Sequence, residues 1–207
     1  MRRTADLRKQ QIIVEATRLF SSRGFDKVTT KDLAASCGVS EPALYRYFPS
    51  KEAIYDSVLS SLESRLQVKE LFDSLENEQD IEKLLFDLAN DIFQFFRTSQ
   101  DVYRLMLYST LGGHAKAKRI YRAIRGTYVD FLIRQLDRFT AAGLILPKNS
   151  IITARCFVGM VFECALSSTL WKGFLGKRFH PADIVNNNIP IFARGLRKDA
   201  PVAGGVE

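Results

Sequence analysis

A chain of 207 residues has room for one large domain or two small ones. Apolar residues make up 46% and charged residues 26%, the composition of a folded globular protein, which excludes wholesale disorder. The formal net charge of +7 points toward a polyanionic partner without naming one.

That charge is uneven. Residues 1–51 carry ten Lys/Arg against five Asp/Glu, whereas residues 61–80 set Arg65 and Lys69 against Glu63, Glu70, Asp73, Glu76, Glu78 and Asp80. A basic block followed by an acidic one suggests two modules with different partners. Cys37, Cys156 and Cys164 show no CxxC spacing, and with only His114 and His180 beside them no metal site assembles. An odd cysteine count and a charged N-terminus fit a reducing cytoplasm, the thiols serving as small apolar side chains. Cys37 as a redox sensor is the alternative. The most apolar stretch, Ile151–Leu170, is interrupted by Arg155 and Glu163 and is not read as membrane-spanning.

In chain order the pattern is helical throughout, and the fold class is all-α. Ile12, Ile13, Ala16, Leu19 and Phe20 form one stripe, which Gly24 terminates. Thr29 caps a short helix with Asp32 at capping-box spacing, and that helix ends near Cys37-Gly38. Ser40 caps the next, with Pro42 tolerated in the first turn and Leu44 facing inward. Pro49 stops it, and Ser50 caps a long helix carrying Ile54, Tyr55, Val58, Leu59, Leu62 and Leu66 on one side. Further helices run from Ile81 to about Phe96, Val102 to Leu111, Ala115 to Ala142, a Ser150 cap to about Trp171, and Pro181 to about Arg197, with a disordered tail at 201–207.

Helix, turn, short helix, glycine turn and second short helix make a helix-turn-helix pattern. Its second helix docks through Leu44, and Phe48 anchors it, which frees Glu41, Pro42, Ala43 and Tyr45 for a major groove. Tyr45 and Tyr47 are expected at the surface, core packing being the alternative.

The run L-F-S-S-R-G-F-D-K-V-T-T-K-D-L-A-A-S-C-G-V-S-E-P-A-L-Y-R-Y-F-P-S-K-E closely resembles the DNA-binding domain of TetR/AcrR-type transcriptional regulators, from Gln10 to Tyr55. The resemblance implies a helix-turn-helix domain at 1–55 and a helical effector-binding and dimerisation domain at 56–200. It implies that Thr30 and Lys31 meet phosphate or an outer base. Glu41, Pro42, Ala43 and Tyr45 would meet base edges and sugars, and Tyr47 and Lys51 would clamp phosphate. Glu41 brings a negative charge to a phosphate-lined groove, a cost relieved if it accepts from a cytosine amino group. Pro42 and Ala43 offer only apolar contact, so phosphate contacts and DNA shape are expected to carry much of the discrimination. Arg46 points either to the backbone or to solvent. Arg2, Arg3, Arg8 and Lys9 form either a DNA-binding arm or a solvated tail.

Beyond residue 56 the run K-A-K-R-I-Y-R-A-I-R projects as an amphipathic helix with a solvated basic face of Lys118, Arg119, Arg122 and Arg125. The helix at 151–171 is apolar nearly all round and needs cover, which a second subunit supplies. The resemblance likewise implies a two-fold homodimer through the last two long helices, with Gly159 and Ala165 permitting close approach and Ile184, Val185, Phe192 and Leu196 on the interface. It also implies a pocket for a small, mostly apolar effector, for which Phe96, Tyr103, Tyr128, Phe162 and Glu163 are the candidates. Glu163 either pairs with Arg155 or a partner subunit, or orients a ligand. No cofactor, metal or membrane partner is expected.

The function so implied is a repressor released from a palindromic double-stranded operator by its effector. A DNA-binding regulator without an effector, controlled by a protein partner or by abundance, is the alternative. An enzyme fares worst: there is no glycine-rich phosphate loop, metal-ligand cluster or paired nucleophile, and His114 reads as a loop residue.

Overall fold

The computed structural model describes residues 2–65, 68–113, 115–170 and 180–198, with the side chains of 2–4, 63–65 and 117 excepted. Leu66, His114, Trp171, the tail at 201–207 and the side chains of Arg2 and Arg3 lie outside the described residues. All described elements are helical: α1 Arg2–Arg23, α2 Thr30–Ser36, α3 Glu41–Tyr45, α4 Lys51–Arg65, α5 Lys69–Leu75, α6 Ile81–Thr98, α7 Gln100–Leu111, α8 Ala117–Tyr121, a π-turn Arg122–Gly126, α9 Thr127–Ala141, α10 Ser150–Thr169 and α11 Pro181–Leu196. The expected all-α class holds.

The chain forms two compact units, one of residues 1–67 and 99–124, the other of 68–98 and 125–207. This division is not the cut at residue 55 expected from sequence, because α7 and α8 join the first unit. There α1 packs against α2, α4 and α7. Ile12, Ala16, Leu19 and Phe20 are buried as the stripe requires. Phe20, Phe25 and Tyr55 form an aromatic cluster with centroids 4.7–5.5 Å apart, and the Tyr55 hydroxyl is hydrogen-bonded to Ser109 of α7. Gly24 ends α1 at φ 81, with α7 so near that an added Cβ would meet the Tyr108 ring at 3.4 Å. Position 24 takes glycine for its positive φ, the Tyr108 contact being one that a Cβ could make.

In the second unit α10 lies against α6 and α9, and α11 against α6 and α10. Leu84, Leu88, Ile92 and Phe96 of α6, Phe131 of α9, and Phe157 and Phe162 of α10 are all shut off from solvent in this core. By length and composition alone α10 is apolar enough to cross a bilayer. One side, with Ala154, Phe157, Val161 and Ala165, is core, and Arg155 and Glu163 are exposed on the other. That is the arrangement of a bundle helix. His180 and Asp183 cap α11 reciprocally, an imidazole standing where Ser or Thr usually does. The helix continues through Pro190, whose missing amide leaves the Asn186 carbonyl without its helical donor.

Three expectations are corrected here. The single helix expected over 115–142 is broken by the π-turn, whose wider repeat shifts the residues after it out of phase with a straight-helix projection. Arg125 thereby leaves the basic face: its guanidinium sits 5.0 Å from the Phe162 ring centroid, against Gly159. Lys118 and Arg122 remain exposed, while Lys116 and Arg119 bind Asp56 of α4. Second, Ala165, Val185 and Leu196 are buried within the chain's own core, so they cannot face a partner. The outward apolar residues of these helices are Ile151 and Ile152 on α10 and Ile191 on α11, each more than half exposed. Third, no ion pair joins Glu163 to Arg155 among the described residues. Both side chains are exposed, and Glu163 receives only a hydrogen bond from Ser167 at 3.4 Å.

Candidate functional site

Two helices of seven and five residues, α2 and α3, are too short to stand alone and are fixed by their ends. Thr29 Oγ1 accepts from the Asp32 amide at 3.1 Å, and the Asp32 carboxylate accepts from the Thr29 amide at 2.9 Å. The Thr29 hydrogen bonds hold the Asp32 carboxyl below its ordinary range. Ser40 caps α3 by accepting from the Ala43 amide, and Gly38 turns the chain between the helices at φ 64. From α1, Glu15 accepts from Ser36 Oγ at 2.6 Å and from Arg18, which clips α2 in place and lowers the Glu15 pKa, chiefly through Ser36.

On this frame the residues sort as the helix-turn-helix reading requires. Leu44 and Phe48 are buried. Pro42, Tyr45 and Arg46 are exposed, as is Lys31 at the start of α2, while Ala43 and Tyr47 are half-buried. Two residues have engagements that sequence did not reveal. Thr30 Oγ1 donates to Glu41 Oε1 at 2.6 Å, joining the first residues of α2 and α3. Lys51 donates to the carbonyl oxygens of Phe25 and Val28, both at 3.1 Å, with its ammonium 4.1 Å from the Phe25 ring centroid. Lys51 thus ties the α1–α2 loop to α4, leaving one of its three donors for anything else. Arg8 donates to Gln11 along α1, and Lys9 is exposed. Cys37 is buried, and burial pushes its thiol pKa up, away from the reactive thiolate.

A second cluster lies inside the other unit. Phe96, Tyr128 and Phe162 come together, with centroids 5.3 Å apart for Phe96–Phe162 and 6.1 Å for Tyr128–Phe162. Phe72 of α5 meets the edge of Tyr128 and stacks on Phe131 at 4.2 Å. Tyr103 is buried on α7 of the first unit, whereas Glu163 faces outward and does not join the cluster. The acid that does join is Asp91, which sequence reading missed. It accepts from the Tyr128 hydroxyl, and burial pushes its carboxyl pKa up against the lowering effect of that bond. Burial, followed by the Asp91 charge, pushes the Tyr128 hydroxyl up as well. Leu84, Leu88, Asp91 and Phe95 share a helical stripe, and an acid on such a stripe was the available signal. Beside the cluster, α6, α10 and α11 leave a narrow apolar crevice lined by Phe93, Met160, Val161 and Ile184.

Residues 12–58 match the family model of bacterial regulatory proteins, tetR family. The nucleoid occlusion factor SlmA of Haemophilus influenzae (strain PittGG) is 36% identical over 115 residues, 55% of this chain and 50% of that protein. The chain thus spans about half the length of the SlmA proteins that it matches. The HTH-type transcriptional regulator YdgC of Bacillus subtilis (strain 168) is 27% identical over 184 residues, covering 86% of this chain and 89% of YdgC. The fold is shared with the crystal structure of AibR in complex with isovaleryl coenzyme A and operator DNA, at a TM-score of 0.67, 20% identity and coverage of 89% and 97%. Residues 12–58 are thus a helix-turn-helix segment like the DNA-binding segment of tetR-family regulatory proteins, and the chain as a whole is similar in fold to TetR-type regulators.

Proposed function

We propose that the protein is a cytoplasmic homodimeric repressor that holds a near-palindromic operator and releases it on binding a small effector. The observation that carries the DNA half is the surface made by Lys31, Glu41, Pro42, Ala43, Tyr45 and Tyr47, solvent-accessible beside buried Leu44 and Phe48. Tyr47 and Lys31 serve phosphate, and α3 enters the major groove. Two such helices about one DNA turn apart, roughly 34 Å, read an inverted repeat. The partner covers the outward apolar residues Ile151, Ile152 and Ile191.

The effector half rests on the second unit's interior. A half-buried carboxylate, Asp91, and a half-buried guanidinium, Arg125, sit among aromatic rings, where desolvated polar groups fix the orientation of an otherwise apolar ligand. Phe72 on the short helix α5 is only half-buried, and its displacement opens the cluster. An effector releases DNA only by binding the non-operator state more tightly than the operator state. The name of the SlmA relatives, nucleoid occlusion factor, supports a second reading, a DNA-binding protein that answers to a protein partner or to abundance.

Unbiased operator selection with the purified protein tests the first half, and enrichment of an inverted repeat is expected; none would sink it. Thermal-shift screening against metabolites and drugs separates the two readings. A stabilising compound that also releases the selected operator supports the repressor, and no such compound supports the second reading.

A further inference from the structure

We infer that Glu41 reads an amino-bearing base, cytosine in preference to the other three, and that Thr30 is the positioning residue that aims it. The inference rests on the DNA-binding reading above and assigns the chemistry of one base position.

Glu41 is the first residue of α3 and Thr30 the first of α2, and the hydroxyl of one holds Oε1 of the other at 2.6 Å. A glutamate at the tip of a reading helix ordinarily has three free torsions, and ordering them on binding dilutes its selectivity. Here one oxygen is fixed from behind by a threonine that lies between the two members of the Thr29–Asp32 cap. Glu41 is half-buried, and among the described residues its other oxygen, Oε2, has no hydrogen-bond partner or cation. The result is a preset acceptor on the surface occupied by Pro42 and Tyr45.

Base edges answer an acceptor differently. In the major groove guanine offers N7 and O6, both acceptors, and thymine offers O4 and a methyl group, so a carboxylate meets repulsion or nothing. Adenine offers its N6 amino group beside the N7 acceptor, which repels the second lone-pair direction of a carboxylate. Cytosine offers the N4 amino group with no acceptor next to it on the same base. Thr30 can give its proton to Glu41 or its side chain to a phosphate, and the observed bond assigns it to Glu41.

Three substitutions in the whole chain, each read by operator selection and by affinity against salt, test the assignment. The wild type should enrich cytosine at one position of each half-site, by roughly tenfold over the other bases, within the range of a well-placed base contact. Glu41→Gln keeps the shape but adds a donor. It should move the preference at that position to adenine, whose N6 and N7 suit an amide. Thr30→Val should keep cytosine preferred but shrink its advantage several-fold, with non-specific affinity and salt slope unchanged, and Thr30→Ser should restore it. An unchanged cytosine preference in Glu41→Gln overturns the base assignment. If Thr30→Val weakens all sequences equally and flattens the salt slope, Thr30 is a phosphate contact and the positioning role falls. If the wild type enriches no operator at all, the DNA-binding reading itself fails.

Discussion

The reading head, α1 to α4, and the bundle of α6, α9, α10 and α11 are built by opposite means. The head sets two short helices, α2 and α3, of seven and five residues with few buried side chains, and holds them by point contacts: Thr29 with Asp32, Ser40 with Ala43, Ser36 with Glu15, Thr30 with Glu41, Lys51 with two carbonyl groups. The bundle uses helices of 15 to 20 residues held by apolar area, with few polar ties inside it. A surface that must present a fixed pattern to DNA gains from directional bonds, whose geometry tolerates little error. An interior that must admit different packings gains from contacts that are non-directional. Rigidity in one region and re-packing in the other are what the ligand-released DNA binder proposed above requires.

The largest effect should come from the apolar core that α1 and α4 supply to the head. Phe20 is fully buried against Phe25 and Tyr55, and Phe20→Ala should cost about 3–5 kcal/mol and abolish operator binding. Phe162→Ala removes the same side chain from the bundle and should cost a similar amount by denaturant titration, while leaving a cavity that small apolar compounds stabilise. Equal ligand responses in the two variants would break the contrast between the regions. Next in size is Ile191→Arg, at a residue 66% exposed in the single chain. Sedimentation should show a monomer of undiminished fold, and operator affinity should fall on the order of a hundredfold as the two heads become independent.

The same contrast explains what sequence could reveal. In the head the determining contacts are local: a Thr, Ser or Asn before a helix predicts its partner three residues on, and the caps at Thr29, Ser40 and Ser50 are all present. Leu44 and Phe48 are core because helical spacing leaves them no other place. Thr30 with Glu41 and Lys51 with Phe25 cross between elements, and no spacing rule encodes them. In the bundle, periodicity yields helices but not partners. Arg125 falls on the wrong face in projection because 3.6 residues per turn do not hold through a π-turn. Glu163 looks a better candidate than Asp91 because an acid in an apolar run suggests burial, whereas the α10 face that carries it turns outward. Val185 and Leu196 have interface spacing and core burial, since a helix packed inward shows the same period as one packed on a partner.

Smaller effects sharpen the account of the head. Lys51→Ala removes a charged donor from two carbonyl groups and a cation from the Phe25 ring, and should cost about 1.5–3 kcal/mol of stability. The slope of log affinity against log salt should then stay nearly constant. A drop of about 0.9 in that slope with stability intact would instead make Lys51 the phosphate clamp that the family resemblance implies. Thr29→Ala should cost about 1 kcal/mol through loss of the cap, and hydrogen exchange should show it as faster opening of α2.

The smallest effect tests whether directional bonds matter to the bundle at all. Glu78 precedes α6 and accepts from the amides of Gln79 and Asp80 at 2.8 and 3.0 Å, with Lys83 at 2.9 Å. The Asp80 amide, then Lys83, pull its pKa down to about 2 from an ordinary 4.5. A carboxyl whose folded-state pKa is depressed stabilises the fold fully above its unfolded value and loses that contribution as pH falls through the folded one. The stability difference between the wild type and Glu78→Gln should therefore be constant from neutral pH to about 4.5 and shrink toward about pH 2, as followed by urea denaturation across that range. A difference that does not change with pH would mean the turn is held by packing alone. The bundle would then have one point contact fewer, and the division of labour between the two regions would be sharper still.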